Sequence, residues 1–210
     1  MLVIRDDILK AMKRGEITLA VKADFSKAFD TVAFEKVLSK LHLMGFSRSS
    51  LQWIASFLMD RKQFVQVDDR SSAQISTTYG VPQGSILRPV LFNLYVNDLS
   101  SALSSEVVCH QYADDTTMYT HFRPSDLEVG QLVIQDALNK LSDWSFECSL
   151  AVNPKKTKVM MLSSAQISRA HGLETCSLKL TVNGKRLECV SNFRLLGTQV
   201  SQINLKISSC

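Results

Sequence analysis

Apolar positions along the chain follow two rhythms, one near 3.6 residues and one of two, and the order in which they alternate predicts the elements. Over residues 3–14, Ile4, Ile8, Leu9 and Met12 recur at helical spacing and Gly15 follows as a C-terminal cap. The pattern then switches to a strand: Leu19, Val21, Ala23 and Phe25 share one face, Lys22 and Asp24 the other, which places Asp24 away from the core side. Helices are predicted over 33–44 (Phe34, Val37, Leu38, Leu41) and 48–59 (Leu51, Ile54, Ala55, Leu58), separated by Gly45. Residues 63–68 and 73–79 form a polar-edged strand pair joined by Asp68-Asp69-Arg70-Ser71. Gly80-Val81-Pro82-Gln83-Gly84-Ser85 is a Gly/Pro-punctuated loop that holds Gln83 at the entrance of a helix carrying Leu87, Val90, Leu91, Leu94, Tyr95 and Leu99.

Residues 107–120 read as two β-rich runs with Asp114-Asp115 at the tip between them. Adjacent carboxylates repel, so such a tip is costly unless it is fully solvated or holds a cation. Pro124-Ser125-Asp126-Leu127-Glu128 is a capping-box signature that starts a long helix to about 148, with Leu132, Ala137, Leu138, Leu141 and Trp144 inward. The last quarter is β-rich: 159–162, then 178–182 and 187–190 around the turn signal Asn183-Gly184, then 193–200 with Gly197 inside. Without repeats or linkers, this order predicts one α+β domain, a sheet with helices on one face.

Composition narrows the picture little. The 210 residues are 45% apolar and 21% charged, an ordinary globular balance, and the net charge of +4 permits a nucleic-acid partner without demanding one. No run approaches the ~20 apolar residues of a membrane span, and the N-terminus lacks the shape of a secretory signal, so an intracellular protein, cytoplasmic or nuclear, is expected. The five cysteines, at 109, 148, 176, 189 and 210, show no metal-site spacing, so neither a disulfide framework nor a structural zinc is indicated.

The chemistry lies in three acids. Asp24 ends one strand and Asp114-Asp115 tip a hairpin; adjacent central strands bring the three carboxylates together, where they could hold two Mg²⁺ ions for nucleotidyl transfer. Asp24-Phe25-Ser26-Lys27-Ala28-Phe29-Asp30, Gly80-Val81-Pro82-Gln83-Gly84-Ser85 and Tyr112-Ala113-Asp114-Asp115 together resemble, in order and spacing, the motifs of reverse transcriptases, above all those of LINE-type non-LTR retrotransposons. Leu91-Phe92, Asn97-Asp98-Leu99, Asn153-Pro154-Lys155-Lys156-Thr157-Lys158 and Leu195-Leu196-Gly197 add to the likeness, which covers roughly residues 3–200.

The resemblance implies a polymerase palm, a ferredoxin-like antiparallel sheet, with part of the fingers. By it, Asp24 and Asp114 are the main metal ligands and Asp115 the supporting one, for two Mg²⁺ ions or Mn²⁺ in their place. Phe29, with Phe25 beside it, belongs to the substrate pocket, where the Phe29 ring lies beneath the sugar and selects dNTPs. Gln83 and Gly84 line the nucleotide and template pocket, and Lys156 stands near the leaving pyrophosphate, with Lys155 and Lys158 competing for that role. The 193–200 hairpin resembles the one that grips the primer end, and residues 202–210 form a divergent tail. The implied partners are an RNA template, a DNA primer and a dNTP.

Two departures from the family pattern matter. Arg88 stands where the family usually has Gly, and the upstream finger strands and the thumb are not found, so these 210 residues are expected not to sustain templated synthesis alone. The competing reading is an inert remnant that at most binds nucleic acid or serves as an interaction module.

Overall fold

The computed structural model describes residues 2–173, 178–195 and 198–201. Helix α1 (Leu2–Lys13) leads through Gly15, at φ 77°, into β1 (Ile17–Ala23) and, past Asp24, β2 (Phe25–Ser26). A 3-10 turn over Ala28–Asp30 precedes α2 (Phe34–Leu43) and α3 (Arg48–Leu58), and Ser47 caps α3 by accepting from the Ser50 N–H at 3.2 Å. The strand pair that follows is two short ladders, not one hairpin: β3 (Lys62–Gln63) pairs with β6 (Ile75–Ser76), and β4 (Gln66–Val67) with β5 (Arg70–Ser71). The turn falls on Asp68, at φ 53°, and Asp69, the first half of the charged stretch, while Arg70-Ser71 already form β5. Next come α4 (Leu87–Val96), α5 (Leu99–Ala102), β7 (Val108–Tyr112) and β8 (Asp115–Phe122).

The capping box at Pro124–Glu128 is not formed. A 3-10 turn over Pro124–Asp126 leads into α6 (Leu127–Glu147) without a side-chain cap, and the Ser125 hydroxyl donates to Asp126 instead. Ala137, Leu138, Leu141 and Trp144 point inward as expected; Leu132 does not, being 70% exposed, and Ile134 takes the core place. The chain continues with β9 (Ala151–Val152), β10 (Lys158–Leu162), α7 (Ala165–Ala170), the hairpin β11 (Thr181–Val182) and β12 (Lys185–Arg186), β13 (Glu188–Cys189), and the hairpin β14 (Asn192–Leu195) and β15 (Thr198–Ser201). Leu196-Gly197 and the tail 202–210 lie outside the described residues. Helix α7, capped by Ser164, had no signal strong enough to predict it.

The central sheet runs β13-β10-β1-β8-β7, with β1 antiparallel to both β8 and β10. Both faces of β1 are covered, which the one-face expectation did not include. Leu19, Val21 and Ala23 pack with Ile134, Ala137, Leu138 and Leu141 of α6, whereas Ala20 packs with Ile4, Ile8, Tyr119, Met160 and Leu162 beneath α1. Burying side chains such as Ile4 and Ile8 contributes roughly 1.5–3 kcal/mol each and docks α1, while Leu9, expected on the same stripe, is exposed. The covered second face opens only at its end, where Lys22 and Asp24 emerge.

Candidate active site

Pairing places the acids. Lys22 stands opposite Thr117 and Ala23 opposite Thr116, where the ladder ends; Asp24 is the next residue after β1, Asp115 is the neighbour of Thr116 at the start of β8, and the turn between β7 and β8 carries Asp114. That turn is Ala113-Asp114, with Ala113 at φ 52°; Asp115 already belongs to β8, opposite Tyr112. An L-residue rarely holds this backbone angle, and the small side chain of alanine keeps its cost low. Asp24 and Asp115 are half-buried and Asp114 is exposed.

The Asn153–Lys158 segment fixes Asp24 from behind. The Asn153 N–H donates to the Asp24 carbonyl at 2.8 Å, and the Asp24 N–H donates to the Thr157 hydroxyl at 3.3 Å. Thr157, fully buried, was quoted within the Asn153–Lys158 motif but given no role, since a Thr beside lysines does not show which backbone group its hydroxyl meets. The same turn delivers Lys156, whose Nζ lies 3.9 Å from Asp24 Oδ2, close enough for an ion pair but too long for a hydrogen bond. Lys158, in contrast, is engaged by Glu188 and by the Lys155 carbonyl.

Asp24 Oδ2 is buried and has no hydrogen-bond partner. Burial holds this carboxyl above its ordinary range; Lys156 and Lys22 work against the shift, and the nearby charges of Asp114 and Asp115 add to it. A hard divalent cation takes oxygen ligands, the chemistry that these three carboxylates offer, Asp24 with its orphaned oxygen among them. The acids are nevertheless not drawn into a cage. Lys22 holds Asp115 at 2.9 Å, and no group of three acidic, His or Cys side chains is close enough for an ion among the described residues.

Beside the acids, the 3-10 turn presents Phe29. Its ring packs on Phe92 of α4 with centroids 4.3 Å apart, and the Arg88 guanidinium lies over it at 4.7 Å while Arg88 Nη2 reaches Asp30 Oδ1 at 3.3 Å. Asp30, beyond the strand, thus serves Arg88. Arg88 Nη1 is buried without a partner. Phe25, expected in the substrate pocket, is 4% exposed and packs toward Trp144 with ring centroids 6.2 Å apart, so its ring is not available to a substrate.

The 80–85 loop is stitched to this turn: the Gly80 N–H donates to the Val32 carbonyl and the Val81 N–H to that of Phe29. Gly80 is where close approach demands glycine, because a Cβ there would lie 2.9 Å from the Asp30 carbonyl oxygen. Gln83 and Gly84 are exposed, and Gly84 faces open space at φ 78°. A cleft of about 660 Å³ opens between this loop and the 61–79 strands, lined by Asp30, Arg61, Lys62, Tyr79, Gln83 and Arg88. The three acids are not among the residues that line it.

Similarity to known proteins follows the same outline. Residues 4–200 match the family described as Reverse transcriptase (RNA-dependent DNA polymerase). The RNA-directed DNA polymerase from mobile element jockey of Drosophila funebris is 26% identical over 195 residues, which is 90% of this chain and 20% of that protein. The probable RNA-directed DNA polymerase from transposon BS of Drosophila melanogaster is 31% identical over 157 residues, 71% of this chain and 17% of that protein. The chain therefore spans about a fifth of the length of these curated relatives. Among solved structures, apo telomerase from Candida tropicalis, truncated from its C-terminal domain, shares the fold with a TM-score of 0.65 at 13% identity, over 100% of this chain and 40% of that one.

Proposed function

The chain belongs to the reverse transcriptase family, in the form carried by LINE-type non-LTR retrotransposons, and from that premise we propose that it is the palm, with part of the fingers, of an RNA-directed DNA polymerase. One observation supports the reading: Asp24 follows the end of β1, where Ala23 pairs with Thr116 next to Asp115, it feels the charges of Asp114 and Asp115, and its buried Oδ2 has no hydrogen-bond partner.

Asp24 and Asp114 would hold two divalent ions, Mg²⁺ or Mn²⁺, with Asp115 in support; such a pair activates the attacking primer oxygen and stabilises the leaving phosphate oxygens. The remaining work falls to the chain's own groups. Phe29 sets a flat apolar surface beneath the sugar of a dNTP and leaves no room for a 2′-hydroxyl. Gln83 offers an amide, and Gly84 an unobstructed backbone, to the nucleotide and the RNA template. Lys156 places a cation, and a proton, beside the departing pyrophosphate.

The test is binding of a fluorescent primed RNA template by the 210-residue chain in Mn²⁺. The next templated dNTP should tighten the complex more than a mismatched one, and Asp24→Asn should remove that response. A complex indifferent to Mn²⁺ and to the matched dNTP would overturn the proposal. It would favour the inert-remnant reading, which draws on the Lys22–Asp115 pair and on Arg88 over Phe29.

A further inference from the structure

Lys22 is the single charged residue of β1, two positions before Asp24, so alternation turns both to one side of the strand. Across the β1–β10 ladder it stands opposite Lys158, a second cation that Glu188 already engages. Across the β1–β8 ladder it stands opposite Thr117. Asp115 lies two residues from Thr117 and on the same face of β8, which makes it the diagonal neighbour of Lys22. The Lys22 ammonium meets Asp115 Oδ1 at 2.9 Å.

Both ends of this pair are partly withdrawn from water, with the Lys22 side chain 21% exposed and that of Asp115 38%. Salt therefore screens it less than a surface pair. Lys156 differs: its side chain is 70% exposed and stands 3.9 Å from Asp24, too far to hold that carboxylate. The charge of Lys22 also reaches Asp24, so one ammonium offsets charge on two of the three acids. Asp115 thus already has a cation, and an ion that needs its oxygens has to displace it.

We propose that Lys22 is a built-in competitor of the divalent ions: its ammonium holds Asp115 in the ion-free chain and releases it before the carboxylates close on an ion. The inference rests on the polymerase reading above, which counts Asp115 among the ion ligands. Competition within one chain is independent of concentration, so apparent ion affinity falls with the fraction of chains in which Asp115 is released. A pair formed in roughly nine chains of ten weakens ion binding about tenfold. The long stem of lysine lets the released ammonium extend into water at the end of the face where Lys22 and Asp24 emerge. Lys22 therefore sets the ion concentration at which the acids assemble, and it neutralises part of their charge until then.

Titration of the 210-residue chain with Mn²⁺, followed by loss of the paramagnetic resonance signal of the free ion and without nucleic acid or dNTP, tests this. Lys22→Met keeps the apolar stem, removes the charge and should tighten Mn²⁺ binding about tenfold. Lys22→Gln, a second neutral side chain, should do the same, whereas Lys22→Arg keeps the charge and should stay within about threefold of the wild type. Removing any cation near acids attracts ions through space, so the partner is tested as well. In an Asp115→Asn background, Lys22→Met should shift Mn²⁺ binding by less than about twofold. In EDTA the Lys22→Met chain should still unfold cooperatively, at a lower temperature than the wild type, and Mn²⁺ should raise that temperature by more. Mn²⁺ binding that neither neutral variant tightens, or that Lys22→Met tightens equally in the Asp115→Asn background, overturns the inference. The polymerase reading falls instead with the matched-dNTP response on primed RNA, which this assay omits.

Discussion

His121 shows how single residues set the chain's working conditions. Its Nδ1 lies 2.8 Å from the Thr18 hydroxyl, and burial holds its pKa below the ordinary 6.5, against the pull of Asp7 and Glu16 and with Arg14 assisting the shift. The unfolded chain therefore takes up a proton that the folded one resists, and stability present above pH 6.5 falls as pH drops through that value. Urea unfolding from pH 8 to pH 5 should show the decline, and His121→Gln should flatten it. Phe29 makes a second residue-scale case. In the Mn²⁺ binding assay, Phe29→Val should bring the matched ribonucleotide close to the dNTP in its effect, whereas unchanged discrimination would reduce Phe29 to a packing residue against Phe92 and Arg88. At this scale the positions of Asp24 after a strand and Asp114 in a turn were legible from alternation and the turn signal, whereas Asp115, expected at the tip, belongs to β8, and the three carboxylates are not gathered for an ion among the described residues. Phe25 and Thr157 were not legible: alternation says which face a side chain takes but not whether another element covers it, and the hydroxyl that binds the Asp24 N–H comes from 133 residues away.

Gly130 of α6 makes room for the Phe122 ring, since a Cβ there would come within 2.3 Å of it. Gly→Ala in a helix ordinarily stabilises by up to ~1 kcal/mol. Here the sign should reverse: Gly130→Ala should destabilise by about 1–3 kcal/mol through overpacking, and the same change in a Phe122→Ala background should regain the usual benefit. Denaturant unfolding of the four chains measures the coupling. Elsewhere, elements are joined by one mostly buried cation. Lys40 of α2 donates to the Tyr95 carbonyl and to Asp98 Oδ1, both at 2.7 Å, and the Trp144 indole N–H donates to the same carboxylate at 3.1 Å. Lys40→Met keeps the apolar stem and removes the donor, and should cost about 1–3 kcal/mol from the acceptors left unpaired. Asp98 thus holds helices together, a role the family motif did not disclose. Helix periods and the glycines at 15 and 45 were readable because each is a local property. The division of 62–76 into two ladders was not, because its apolar residues, Phe64, Val65, Val67 and Ile75, are all exposed and no core face fixes the register.

For the whole molecule, charge offers a modest attraction to nucleic acid: a net +4, with Arg61, Lys62 and Arg88 gathered at one cleft. Affinity for a primed template should therefore fall with salt along a shallow logarithmic slope of roughly −2 to −3, and Arg61→Ala should flatten it by about one. A steep slope would mean that phosphates are gripped over a wider surface. The sheet order carries a different consequence, one of time. β1, at residues 17–23, sits between β8 at 115–122 and β10 at 158–162. A chain emerging from a ribosome therefore holds β1, the strand that leads to Asp24, without its sheet partners until β8 has been synthesised. Closing loops of that length is slow, and Asp24 acquires its backbone partners only once Thr157 has emerged. A nascent chain halted before that point lacks the assembled site, so any catalysis waits on the completed sheet.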